Sequence, residues 1–108
     1  MPRSTRSTNR TRVVKESVVE AYLVKQVRRY GGEIRKVKFL GHDGAPDRLV
    51  MMPYQRNQLG PCIWVELKSA TGKLRPAQVR EHARMRALGQ YVYVIRTKLE
   101  VDAMLQQW

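Results

Sequence analysis

Gly44-Ala45-Pro46-Asp47-Arg48-Leu49-Val50-Met51-Met52 and, beyond a Pro53–Pro61 connection, Ile63-Trp64-Val65-Glu66-Leu67-Lys68 decide the reading of this 108-residue chain. A tight Gly-Ala-Pro turn precedes Asp47, which opens a segment holding Leu49, Val50, Met51 and Met52. Glu66 and Lys68 close a second apolar segment. Side chains two apart on a strand share a face, so Glu66 and Lys68 point one way and Leu67 the other. If the two segments pair as a hairpin, Asp47 near the start of one strand meets Glu66 and Lys68 near the end of its neighbour. Two hard oxygen donors of this kind suit Mg²⁺ or Mn²⁺, and the lysine can hold a water or a phosphate oxygen. Singly, Pro-Asp is a common turn dipeptide and Glu-x-Lys can be a solvated strand face. Their order, and the strand-like run beside each, make the stretch a candidate active site.

Upstream, Arg12 to Tyr30 carries apolar residues at three- and four-residue spacing (Val14, Val18, Ala21 or Tyr22, with a second stripe of Val19, Leu23 and Val27), which predicts a helix. Gly31-Gly32 stops it. Glu16 and Glu20 lie four apart and so share a face. Glu33 to Phe39 alternates as a strand, with one slip between Ile34 and Val37 that predicts a bulge. Leu40 to Pro46 is a loop by composition, in which Asp43 reads as a turn residue and His42 as a surface-loop histidine.

Downstream, Ser69 to Arg75 is a polar loop, and Pro76-Ala77-Gln78 opens a helix that runs to about Leu88 before Gly89. Val79, Ala83, Arg86 and Ala87 share one flank of it, Met85 and Leu88 widen the apolar stripe, and Arg80 and Arg84 fall on the exposed side. Tyr91 to Ile95 is nearly all apolar, as a central strand buried on both faces would be. Thr97 caps a last helix through Val101, Met104 and Leu105, ending at Trp108. The three-strand meander is antiparallel, and the fourth strand, reached through a crossover helix, can run parallel.

With this order of elements the chain resembles the PD-(D/E)xK nuclease superfamily and, within it, the small VRR-NUC family. The resemblance rests on Gly-x-Pro-Asp (Gly44, Pro46, Asp47), Glu-x-Lys (Glu66, Lys68), Gln78 opening the next helix, and a glutamate on the first helix. It extends from about Glu16 to Val94. It implies an α/β, restriction-endonuclease-like core: a mixed four-stranded sheet flanked by helices in the order α-β-β-β-α-β-α. It also implies phosphodiester hydrolysis with Mg²⁺ or Mn²⁺. Asp47, Glu66 and the backbone carbonyl of Leu67 would be ligands, and Glu20 would complete the set directly or through water. Glu20 stands seven residues before Val27, the family's spacing, and Glu16 one turn earlier is the alternate. Lys68 would orient or deprotonate the attacking water, and Gln78 would position that water or Lys68. Small stand-alone members resemble Holliday-junction resolvases, which implies four-way DNA junctions as substrate. Symmetric cutting needs two sites, hence a homodimer. The first helix and Met104, Leu105 and Trp108 offer candidate interface material, with the core as the other reading open to all of them. The alternatives are flap or end cleavage, a non-catalytic basic DNA-binding module, and an RNA nuclease with a metal-free, histidine-centred site. Clustered carboxylates argue against the second, and His42 and His82 lack evident supporting partners for the third.

Composition agrees with a polyanionic partner. Twenty-one Lys and Arg against nine Asp and Glu give a net charge of +12. Lys36, Lys38, Lys73, Arg75, Arg80 and Arg84 are the candidate DNA-binding residues. Residues 1–11 hold three arginines and no acid and read as a disordered basic arm, leaving 12–108 as one nuclease domain. No segment approaches the ~20 apolar residues of a membrane span, and no signal-peptide pattern opens the chain. Cys62 is the sole cysteine, compatible with a reducing compartment, and the two histidines stand far apart, against a structural zinc site. A cytoplasmic location in a bacterial or phage-infected cell is expected.

Overall fold

The computed structural model describes residues 15–54 and 59–108. The basic arm expected over 1–11 and the middle of the Pro53–Pro61 connection lie outside the described residues. The elements are α1 (Glu16–Arg29), β1 (Glu33–Lys36), β2 (Arg48–Met51), β3 (Cys62–Leu67), α2 (Pro76–Ala87), β4 (Tyr91–Ile95) and α3 (Lys98–Leu105). Among the described residues they build one four-stranded sheet in the order β1-β2-β3-β4. The first three strands form the expected antiparallel meander, and β4 pairs with β3 in parallel. The α/β class, the helix and strand order and the mixed sheet are thus as the sequence implied.

Period-2 alternation along the strands separates two layers. Val50, Ile63, Val65, Leu67 and Ile95 point to one face, where they close a core with Val19, Leu23 and Val27 of α1 and Val101, Met104 and Leu105 of α3. The Tyr22 hydroxyl donates to Asp102 Oδ1 at 2.8 Å, tying α1 to α3 across this layer. Gly31 ends α1 in the left-handed region (φ +88°), with the Gly32 N–H returning to the Val27 carbonyl at 2.9 Å. Thr97 caps α3 as expected, accepting from the Glu100 N–H at 3.1 Å.

Three expectations need correction and one open alternative is decided. The strand expected over Glu33 to Phe39 ends at Lys36, and its register with β2 runs without a bulge from Glu33↔Met51 to Lys36↔Arg48. Tyr91 to Ile95 is not central: among the described residues it lies at one edge of the sheet. It is apolar because α2 and α3 both contact it. The α2 stripe is also different. Val79 and Leu88 are 53% and 79% exposed, and the buried side consists of Gln78, Glu81, His82 and Met85. This helix buries mostly polar side chains against the sheet, so apolar periodicity does not mark its inner side. Finally, of the candidate interface residues, Val19, Leu23, Val27, Met104 and Leu105 fall in the core, the other reading open to them.

The motif glycine has a steric reason. Gly44 lies at φ +89°, and a Cβ there would stand 2.4 Å from the Ala77 carbonyl oxygen. The loop therefore seats backbone against backbone on the first turn of α2, with Pro46 fully buried behind it. Gly44→Ala combines a disfavoured φ with this overlap, and is expected to lower unfolding free energy by at least about 2 kcal/mol. Urea denaturation checks this; an unchanged midpoint would contradict the packing.

Candidate active site

The register Arg48↔Val65 continues one step to set Asp47 opposite Glu66. Hydrogen bonding fixes what kind of pair this is. The Met52 N–H donates to the Pro61 carbonyl at 3.0 Å and the Asp47 carbonyl accepts from the Val37 N–H at 2.9 Å. Alternation along β2 then makes Asp47 and Glu66 a non-hydrogen-bonded pair, whose Cα atoms lie only about 4.5 Å apart and whose side chains share a face. The Lys68 N–H extends the parallel ladder to the Ile95 carbonyl at 3.1 Å, so its side chain falls on the Glu66 side. The same alternation aims the Leu67 carbonyl at β2, where its register partner is Pro46, a residue with no N–H to donate. Two carboxylates, an ammonium and an uncommitted carbonyl are thereby gathered by strand geometry alone.

Glu66 is 8% exposed. Burial, then the charge of Asp47, pushes its carboxyl up to about 6; Glu16 adds to this, while Lys68 and Arg75 oppose it. Glu16, at the start of α1, is thus an α1 acid whose charge reaches Glu66. Glu20 is engaged elsewhere. The Arg48 Nε donates to Glu20 Oε2 at 2.8 Å, a second guanidinium nitrogen contacts the same oxygen, and Nη1 lies 2.8 Å from Asp47 Oδ1. Burial opposes the charge on Arg48, but the Glu20 hydrogen bond and the Asp47 charge overcome it and raise its pKa. Arg48 is a site residue that sequence reading passed over. The available signal was a charge inside an otherwise apolar strand, beside the motif aspartate.

Gln78 is buried, and its Oε1 accepts from the Arg75 N–H at 2.8 Å, closing the first turn of α2. His82, one turn further, is fully buried, with Nε2 at 3.9 Å from Glu66 Oε1. Burial, then Arg86, lowers its pKa, with Lys68 adding to this and Glu81 and the Gly44 backbone opposing. No sequence signal marks a carboxylate neighbour for His82, because the approach is made across the sheet–helix interface. His42 is exposed, and Asp43 pairs with Arg75 at 3.4 Å, tying the loop to the start of α2.

An open cleft of about 590 Å³ adjoins Asp47 and is lined by Lys36, Lys38, Phe39, His42 and Arg75 among others. Of the six expected nucleic-acid contacts, Lys36, Lys38 and Arg75 converge there. Lys73 and Arg80 are exposed outside it, and Arg84 is bound to buried Glu81 at 2.6 Å.

The donor set fits a hard divalent cation. Among the described residues no three His, Cys, Asp or Glu side chains form a metal-holding group. Mg²⁺, however, uses one or two carboxylates, keeps several waters and shares substrate phosphate, which Asp47, Glu66 and the Leu67 carbonyl can satisfy.

A three-stranded meander followed by a helix and a parallel strand, with acids facing each other across β2 and β3, defines a restriction-endonuclease-like nuclease core. The comparisons with known proteins agree. No protein-family model matches the chain. A curated protein, "Putative nuclease p44" of Acyrthosiphon pisum secondary endosymbiont phage 1, is 43% identical over 84 residues, 78% of this chain and 85% of that protein. A solved structure described as "VRR_NUC domain" superposes with a TM-score of 0.73 at 34% identity, covering 86% of this chain and 96% of its own. The chain belongs to the VRR-NUC family of nucleases.

The raised Glu66 carboxyl has a consequence for stability. Between the ordinary carboxylate value of 4.5 and about 6 the folded chain binds more protons than the unfolded one, so stability falls as pH rises through this window. Above it the metal-free protein carries a penalty of about 2 kcal/mol. Glu66→Gln is therefore expected to match wild type near pH 4 and exceed it by up to that amount at pH 8. Denaturation at both pH values, in EDTA, provides the check.

Proposed function

We propose that this nuclease hydrolyses phosphodiester bonds of branched DNA with Mg²⁺ or Mn²⁺ held by Asp47, Glu66 and the Leu67 carbonyl. The observation that supports this most directly is the placement of Asp47 opposite Glu66, with Lys68 on the same side, beside a cleft bearing Lys36, Lys38 and Arg75. Two carboxylates this close repel phosphate, so an acid pair beside a basic cleft makes chemical sense for a cation-assisted enzyme and little for a simple phosphate binder. When bound, the ion supplies Lewis acidity, acidifying water and stabilising charge on the phosphate. Lys68 orients the attacking water and its ammonium favours the more highly charged transition state. Lys36, Lys38 and Arg75 hold flanking phosphates. Glu20 acts through water or by keeping Arg48 against Asp47, and Glu16 is the alternate acid. Gln78 fixes the start of α2 beside the reacting groups.

The substrate reading follows from size. A domain this small carries little surface for reading bases, so recognition falls to phosphates held at fixed geometry, that is, to DNA shape. A four-way junction cut symmetrically requires two sites, which a two-fold homodimer supplies. With the core residues excluded, exposed apolar side chains such as Leu88 and Tyr91, at the end of α2 and the start of β4, are the available interface material.

Asp47→Ala or Glu66→Ala is expected to abolish cleavage with the fold retained, and Lys68→Ala to lose cleavage while still binding metal. Assays on labelled four-way junctions, flaps, linear duplex and RNA, each with Mg²⁺, Mn²⁺ or EDTA, test the reading, and light scattering gives the mass. Near-wild-type activity of pure Asp47→Ala protein sinks the mechanism. A monomer cutting linear duplex as readily as junctions sinks the junction reading alone, and a flap preference replaces it.

Affinity is expected to fall with salt at a log–log slope of roughly −0.9 per duplex phosphate contacted. Removing residues 1–11 should weaken binding to all substrates without moving the cut. Filter binding across a salt series decides this, and a flat profile contradicts a basic docking surface.

A further inference from the structure

His82 is fully buried and neither ring nitrogen has a hydrogen bond of ordinary geometry, although the Gly44 backbone lies close enough to favour the charged ring. Buried polar groups are almost always paired, and an exception asks for a reason. A leucine or methionine would fill the sheet-facing side of α2 beside Met85 without that cost. The ring is instead an imidazole whose Nε2 is directed to Glu66, at 3.9 Å from Oε1.

We infer that His82 is a positioning residue of the site, whose Nε2–H donates to Glu66 Oε1 and fixes that carboxylate as a metal ligand. The inference rests on the metal reading given above and deepens it. A separation of 3.9 Å is beyond hydrogen-bond reach, but it is the distance in the metal-free arrangement, where the like charge of Asp47 acts on Glu66 with no cation between them. Hydrogen bonds in such sites are commonly long without ligand and tighten in the complex. A carboxylate has two oxygens. With one turned to the cation, the other needs a donor if the group is to keep a single orientation, and ligating carboxylates are held in this way by outer partners. Of the other groups around the ring, Lys68 and Arg86 carry charges of the wrong sign to accept and Glu81 is committed to Arg84, while the Gly44 backbone is the competing acceptor for the ring proton. Placement on α2 also explains why the helix buries a polar side: Gln78 secures its first turn and His82, four residues on, reaches Glu66.

The test is calorimetric titration of Mn²⁺ into the metal-free full chain, as wild type, His82→Gln and His82→Leu. His82→Leu is expected to bind Mn²⁺ about 10- to 100-fold more weakly. His82→Gln, which keeps an N–H donor, should recover most of the loss. The metal-free unfolding midpoint of His82→Leu should equal or exceed that of wild type, a direction opposite to its metal affinity that a packing role does not give. Undiminished Mn²⁺ affinity in His82→Leu overturns this inference alone, whereas wild type that binds no Mn²⁺ overturns the metal reading and this inference together. Should His82→Leu fail to fold, nitrogen-15 spectra of wild type decide. With Mg²⁺ present, a proton on His82 Nε2 in a hydrogen bond supports the assignment, and a bare Nε2 refutes it.

Discussion

Two like charges set face to face on neighbouring strands are the constraint from which the rest of this structure follows. Directly opposed like charges destabilise a sheet, and a non-hydrogen-bonded pair is the closest cross-strand approach a sheet offers. Asp47 and Glu66 occupy such a pair, with Glu66 also buried, and its carboxyl is pushed up as a result. The surroundings limit the cost. Lys68 and Arg75 favour the charged form of Glu66 from one side, and the Arg48 guanidinium contacts Asp47 from the other. A sheet with acids in this position is held together by something other than the acids.

That support is the opposite layer. The apolar cluster of α1, α3 and the inner strand residues lies wholly on one side of the sheet, with Val19, Leu23, Val27, Ile63, Val65, Val101 and Leu105 fully buried. Stability and chemistry are thereby divided between faces. The α2 layer is free to bury Gln78, Glu81 and His82 because little of the hydrophobic driving force is asked of it. Its attachment is more polar, including the Arg86 guanidinium donating to the Val92 carbonyl at 2.9 Å.

This division also explains how much of the molecule could be read from the chain. The strands of the meander, the helix ended by Gly31 and the capped last helix were legible, since each obeys the periodicity and capping chemistry of an element with one apolar side. The opposition of Asp47 and Glu66 was legible too, because a hairpin between the two segments allows it. The buried side of α2 was not legible, because polar residues face inward there and Val79 and Leu88 face out. The edge position of β4 was hidden for a related reason: apolar composition reports helices on both faces and says nothing of lateral neighbours. His82 and Arg48 were missed because their partners, Glu66 and Glu20, lie on other elements.

Arg48 then shows how one strand step joins the two layers. Asp47 and Arg48 are consecutive, so their side chains leave β2 on opposite faces. Asp47 enters the acid pair while Arg48 lies under the sheet, 7% exposed, against Glu20 of α1. A buried guanidinium is costly unless paired and hydrogen-bonded, and here it takes both Glu20 and, around the strand end, Asp47. The position of α1 is thus coupled electrostatically to the side chain of Asp47. An α1 acid is thereby linked to Asp47 through one shared guanidinium without touching Asp47 itself, and a residue on the apolar side of the sheet helps hold a side chain of the candidate site.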